Sequence, residues 1–204
     1  MSDSILQVNQ IKDKDGNATG ITVADTTANV TINNLAGGAI GSAVTGFTGI
    51  KVIDQWYITA GFTGVSDPIT SNLSRLLTSG SLGSPMTQSS GVFTFPMTGK
   101  YMVKFHANQA LNGSSRYTSI VINANVSGTI TRLAKSYNYL ISSSAQTKYT
   151  STHIEAMYDV VDTSTHKVQF SVDEDISGSV SYNSSGTSPA YYYTYMQFIR
   201  LGDT

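Results

Sequence analysis

The chain has no cysteine among its 204 residues. That excludes a disulfide framework, a thiolate nucleophile and a zinc–thiolate site. Charge is also scarce: Asp, Glu, Lys and Arg make up 12% of the sequence, and the formal net charge is −1. Phosphate binding needs clustered basic residues, whereas these are scattered singly, and Lys12 and Lys14 alternate with Asp13 and Asp15. Nucleic acid is therefore not an expected partner. No long apolar run occurs either. The uncharged stretch Thr26 to Ile50 is interrupted by Asn, Thr, Ser and repeated Gly, so membrane insertion is not expected. Met1 to Gln10 lacks the basic and apolar regions of a secretory signal, which predicts synthesis in a cytoplasm.

What fills the chain instead is Thr, Ser, Asn and Gly around short apolar runs, with hydrophobic residues at 40%. This composition suits β-strand exteriors, and no segment carries a sustained helical stripe. Asn72 to Thr78 comes nearest, with Leu73, Leu76 and Leu77 at helical spacing, but it is too short to separate helix from strand or loop.

Three regions differ in texture. Residues 1–35 hold short β-type runs, Ile5 to Ile11, Gly20 to Ala24 and Asn29 to Leu35, with a turn at Asp15-Gly16-Asn17. Residues 36–50 are rich in glycine and uncharged between Ala36 and Gly49, and read as a flexible linker or as a tight stalk built with partner chains. From Lys51 onward, β-type runs alternate with Ser/Gly/Asn loops at the spacing of a sandwich or barrel. Those runs are Lys51 to Ala60, Lys100 to Gln109, Arg116 to Val126, Ile130 to Leu140, Ser151 to Val161, His166 to Asp173 and Ala190 to Leu201. Val168, Phe170 and Val172 are expected to face the core.

The segment Gly91 to Ala107 is the most specific. Val92 to Phe95 is a short apolar strand that Pro96 ends, because proline has no N–H for the ladder. Gly99 supplies the free backbone of a turn, and Tyr101, Val103, Phe105 and Ala107 then alternate with Met102, Lys104 and His106. Gly91, Phe93, Thr94, Pro96, Gly99 and Tyr101 match the pattern G-x-F-T-x-P-x-x-G-x-Y. In this the segment resembles the jelly-roll head shared by the tumour necrosis factor family and the globular domain of complement component one, subcomponent q. The closing run Tyr195 to Gly202 is similar to the last strand of that family. The resemblance spans residues of about 52 to 202 and implies an all-β, ten-stranded antiparallel jelly-roll sandwich working as a homotrimer, with an extended β-type N-terminal arm before it.

Chemistry is sparse. Asp162, Asp173, Glu174 and Asp175 lack the alternate spacing of a calcium loop and read as a solvated loop. Some heads of the family do bind calcium. His106, His153 and His166 fall on three separate strands without ligand spacing, so strand-surface histidines are expected, and no metal or other cofactor. There is no G-x-S-x-G elbow and no glycine loop with a phosphate-binding lysine, hence no expected catalytic residue and no enzyme.

The tyrosines at the end, Tyr191, Tyr192, Tyr193 and Tyr195, admit core filling, an interface or sugar stacking. The family likeness implies a trimer seam at Tyr195 and Phe198, joined by Tyr101 and Phe105. Residues of about 5 to 35 resemble, in texture, the N-terminal parts of small structural proteins of tailed bacteriophages, particularly marine ones. In those proteins the N-terminal part anchors to the particle and the C-terminal part is displayed. The expected function is a non-enzymatic virion protein on the virion surface, either capsid decoration or a short fibre. Residues 1–50 would meet the major capsid or another virion protein. The alternative is a receptor-binding module whose loops Ile141 to Thr147 and Asn183 to Pro189 contact host surface glycans.

Overall fold

The computed structural model describes residues 49–77, 81–111, 115–140, 147–175, 180–184 and 193–204. The arm expected at 1–35, nearly all of the glycine-rich segment 36–50, and Tyr191 and Tyr192 lie outside the described residues, as do residues 141–146 and 185–190.

Two antiparallel sheets face each other. One is built from β1 (Ile53–Ile58), β2 (Phe62–Thr63), β3 (Leu73–Arg75), β6 (Gly99–Leu111), β9 (Lys148–Val160), β11 (Val180–Tyr182) and β12 (Tyr195–Gly202). The long strand β6 organises it. One edge of β6 pairs with β9 along its whole length; the other pairs with β12 over Lys100–His106 and with β11 over Gln109–Leu111. Beyond β12 come β1 and then β3. The second sheet runs in the order β4 (Thr87–Ser89), β5 (Val92–Thr94), β10 (His166–Glu174), β7 (Ser115–Val126) and β8 (Thr129–Leu140).

The sequence pattern explains the layers. On β6 the residues Tyr101, Val103, Phe105 and Ala107 are all fully buried, and Val168, Phe170 and Val172 of β10 meet them from the opposite sheet. Phe93 sits at the centre, edge-on to Trp56 at 5.4 Å and to Phe170 at 5.4 Å, and tilted against Phe198 at 5.2 Å. Aromatic pairs favour such offset and edge-to-face contacts over flat sandwiches.

The Gly91–Tyr101 motif now has a physical reading. Gly91 adopts φ 78°, and a Cβ there would lie 2.1 Å from the Ile69 carbonyl oxygen, so only glycine fits. After Pro96 the chain turns back, and the Tyr101 hydroxyl donates to the Met97 carbonyl at 2.9 Å while its ring packs on Phe95 at 4.6 Å. Burial pushes that hydroxyl's pKa up to about 12, which keeps it a donor.

A buried carboxylate ties the edge of the first sheet. Asp54 accepts hydrogen bonds from Arg75 Nε at 2.6 Å, Trp56 Nε1 at 3.1 Å and the Met86 N–H at 2.9 Å. At one end the interior is polar. There Gln109 donates to Thr118 and accepts from Thr152, while Thr118 shares a hydrogen bond with Tyr182.

Leu73, in a run that left helix, strand and loop open, lies in a three-residue strand, and Asn72 before it has φ 59°. Other expectations change. The described residues form twelve strands, not ten. Of the expected seam residues, Tyr101, Phe105 and Phe198 are fully buried inside a single chain, so their side chains fill its core and have no surface to offer a neighbour. The cause is parity: on β6 and β12 these three point inward, and only Tyr195 has the opposite sense.

Candidate functional site

The outer face of the first sheet collects what the core rejects. Alternation turns outward Ile53, Gln55 and Tyr57 on β1, Tyr195, Gln197 and Ile199 on β12, Met102, Lys104 and His106 on β6, and His153, Glu155 and Met157 on β9. The strand registers then set these residues in straight rows across four strands. Ile53, Ile199, Met102 and Met157 stand opposite one another in sequence, forming an apolar row. Gln55, Gln197, Lys104 and Glu155 form a polar row beside it. Tyr57, Tyr195, His106 and His153 form the third, a row of rings.

These side chains are half-buried or exposed, with Met157 at 56%. Directly opposed residues are the unit by which sheets gain side-chain energy, so each row is a continuous strip of neighbouring side chains. Lys104 pairs with Glu155 at 3.7 Å, and Lys100 with Asp159 at 3.4 Å at the margin.

In the row of rings, side chains contact one another directly. Tyr195 stacks on His106 with centroids 5.0 Å apart and planes 16° from parallel, and the His106 and His153 rings lie 6.3 Å apart. His106 Nδ1 is 2.9 Å from the Tyr193 carbonyl oxygen. A carbonyl only accepts, so Nδ1 carries the proton and Nε2 keeps its lone pair. Partial burial lowers the pKa of His106 below the ordinary 6.5; the Tyr193 bond opposes this and His153 adds to it.

Beyond the ring row, Asn108, Tyr149, Asn183, Ser184 and Tyr193 line an open hollow of about 460 Å³. The other sheet's outer face differs. Its hollow of about 240 Å³ holds Asp67, Asn123, Arg132, Lys135, Ser171 and Asp173, where Lys135 pairs with Asp173 at 3.1 Å and Asp67 accepts from Ser171. The acids singled out in the sequence separate in space. Asp162 accepts from the Ser164 N–H and hydroxyl, Asp173 faces Lys135, and Glu174 is buried and accepts the Val180 N–H.

Of the four residues expected at a seam, the structure leaves Tyr195 on a surface, and it adds Met102, Met157, Ile53 and Ile199, which sequence reading passed over. Strand parity was a usable signal for Met102. The direct pairing of His106 with His153 depends on register between segments 47 positions apart, so sequence spacing could not reveal it.

The order of strands, the closed pairing around β6 and the aromatic interior define an all-β antiparallel jelly-roll sandwich. Among solved structures the chain is similar to that of Eiger TNF from S. frugiperda, at 12% identity and a TM-score of 0.56, covering 76% of this chain and 94% of that one. It is also similar to murine APRIL at pH 8.5, at 11% identity and a TM-score of 0.52, covering 74% and 98% respectively. The fold is thus that of the tumour necrosis factor-like jelly rolls. No protein-family profile matches the sequence, and no curated protein matches it.

Proposed function

We propose that this chain is a non-enzymatic assembly protein whose jelly-roll head forms a homotrimer through the outer face of the first sheet. The reading rests on the rows across β1, β12, β6 and β9: apolar and aromatic strips standing in register on one face. The complementary surface is placed on the same chain at β8, the edge strand of the second sheet, where Tyr137 and Tyr139 are 61% and 68% exposed. A face of one copy receiving the edge of the next is a head-to-tail contact, and such contacts make a ring of three when each copy is turned by a third of a revolution. Burying apolar surface this way stabilises by roughly 25 cal/mol per Å², which supplies what cysteine-free heads lack.

The setting follows the N-terminal texture: a tailed-phage particle, with residues 1–50 attached to it and the head displayed as decoration or as a short fibre. A second reading, host-glycan adhesion, is favoured by the hollow that brings Tyr149 and Tyr193 beside Asn108 and Asn183, since aromatic faces with amide groups suit sugar rings.

Light scattering of the full chain tests assembly. Three chain masses are expected, and one chain mass for a variant carrying Met157→Lys and Ile199→Lys with unchanged circular dichroism. A monomeric parent, or a variant that still trimerises, overturns it. Antibody to the chain should label intact particles of the encoding virus; absence from purified particles removes the virion setting.

A further inference from the structure

We infer that His106 and His153 form a two-imidazole site for a divalent late transition-metal ion of the zinc, copper or nickel kind. The inference rests on the geometry of one chain, and because the proposed trimer covers this face, the titration is made on the monomeric Met157→Lys, Ile199→Lys variant as well as on the full chain. The two residues are direct partners across β6 and β9, both on the outer face, with rings 6.3 Å apart and planes at 46°. An ion about 2.1 Å from Nε2 lies about 3.2 Å from the ring centre, so two rings sharing it stand about 5.2 Å apart at a tetrahedral angle and about 6.4 Å apart at the widest. The observed separation falls inside that range, and closing by about 1 Å through side-chain rotation reaches the tetrahedral end.

His106 is prepared for the role. Its Nδ1–H is spent on the Tyr193 carbonyl, which leaves Nε2 as the ligating nitrogen, and the Tyr195 ring stacked on it restricts its plane. A histidine whose second nitrogen bonds a carbonyl is the usual arrangement at metal centres, where that bond sets tautomer and orientation.

Two residues along the same strand, Glu155 places a carboxylate oxygen 4.0 Å from His153 Nε2. No three His, Asp or Glu side chains converge as placed among the described residues. Rotation of Glu155 away from Lys104 would supply a third ligand, and water the rest. The sequence-based expectation of plain surface histidines is thereby revised for this pair; His166, beside Thr165 on β10, stays outside it.

Calorimetric titration of the full chain with zinc chloride at pH 7.5 is the test, with copper(II) electron paramagnetic resonance as the second readout. Expected are saturable binding of one ion per chain and a spectrum showing two coordinated imidazole nitrogens. His106→Gln and His153→Gln should each weaken binding by about tenfold or more, and His166→Gln should leave it unchanged. Circular dichroism confirms that each variant folds. No saturable binding, binding that survives both substitutions, or equal loss in His166→Gln would overturn the proposal.

Discussion

Phe198 and Tyr195 are three positions apart on the same strand, yet the structure assigns them to opposite faces, and truncating each should fail in a different way. Phe198 is fully buried against Phe93 at 5.2 Å, Phe170 at 5.8 Å and Phe95 at 6.2 Å. Phe198→Ala empties the middle of the core, a change that costs about 3–5 kcal/mol through lost burial and the cavity left behind. With total stabilities of about 5–15 kcal/mol, this removes a large share of the fold's margin. Tyr195 is half-buried and packs on His106, so Tyr195→Ala should cost the single chain only about 1 kcal/mol, the order of one aromatic pair. Its larger effect should be on assembly, as a steeper dependence of mass on concentration. Urea unfolding followed by fluorescence of Trp56, the single tryptophan, reports the first effect, because its ring lies edge-on to Phe93. Light scattering over a dilution series reports the second. If Phe198→Ala lowered the oligomer mass while leaving the unfolding midpoint in place, the assignment of faces would be wrong.

Asp54→Ala strips three donors of their acceptor, two of them on Arg75 and the Met86 backbone, and should destabilise by about 3 kcal/mol in the same urea assay. A cost below about 1 kcal/mol would mean that water replaces the carboxylate. Gly91→Ala forces a side chain into a left-handed backbone and against the Ile69 carbonyl, and should cost at least about 2 kcal/mol; an unchanged midpoint would show that the turn relaxes freely. For pH, His106 has a lower proton affinity in the fold than in the unfolded chain, so its contribution is intact above pH 6.5 and is lost as pH falls through 6.5 toward the lowered value. Thermal melts from pH 7.5 to 5 should decline in that window, and His106→Gln should flatten the decline; an identical slope in the variant would assign it to other groups.

The parts of the fold legible in the sequence were those with local causes. Pro96 and Gly99 bracket a turn whatever surrounds them, and the alternation in β6 and β10 gives the buried face directly. The strands β2 and β4 were missed because two or three residues carry no period; they exist through pairing with β11 and β5. At the candidate site the error was of another kind. The seam at Tyr101, Phe105 and Phe198 is what the family likeness implies, whereas the alternation itself places Tyr101 and Phe105 with the core residues Val103 and Ala107. The rows themselves were beyond reach, since they depend on four strands arriving in one register from segments scattered over the chain.

That register has a consequence for any body that docks on the face. Rows on one side of a strand repeat every two residues, about 6.8 Å. A partner displaced by a single row would press its apolar groups onto Lys104 and Glu155 and strand its polar ones between Met102 and Ile199. The polar row therefore works as a key between two lanes of grease: it adds little to adhesion, but it makes one alignment far better than its neighbours.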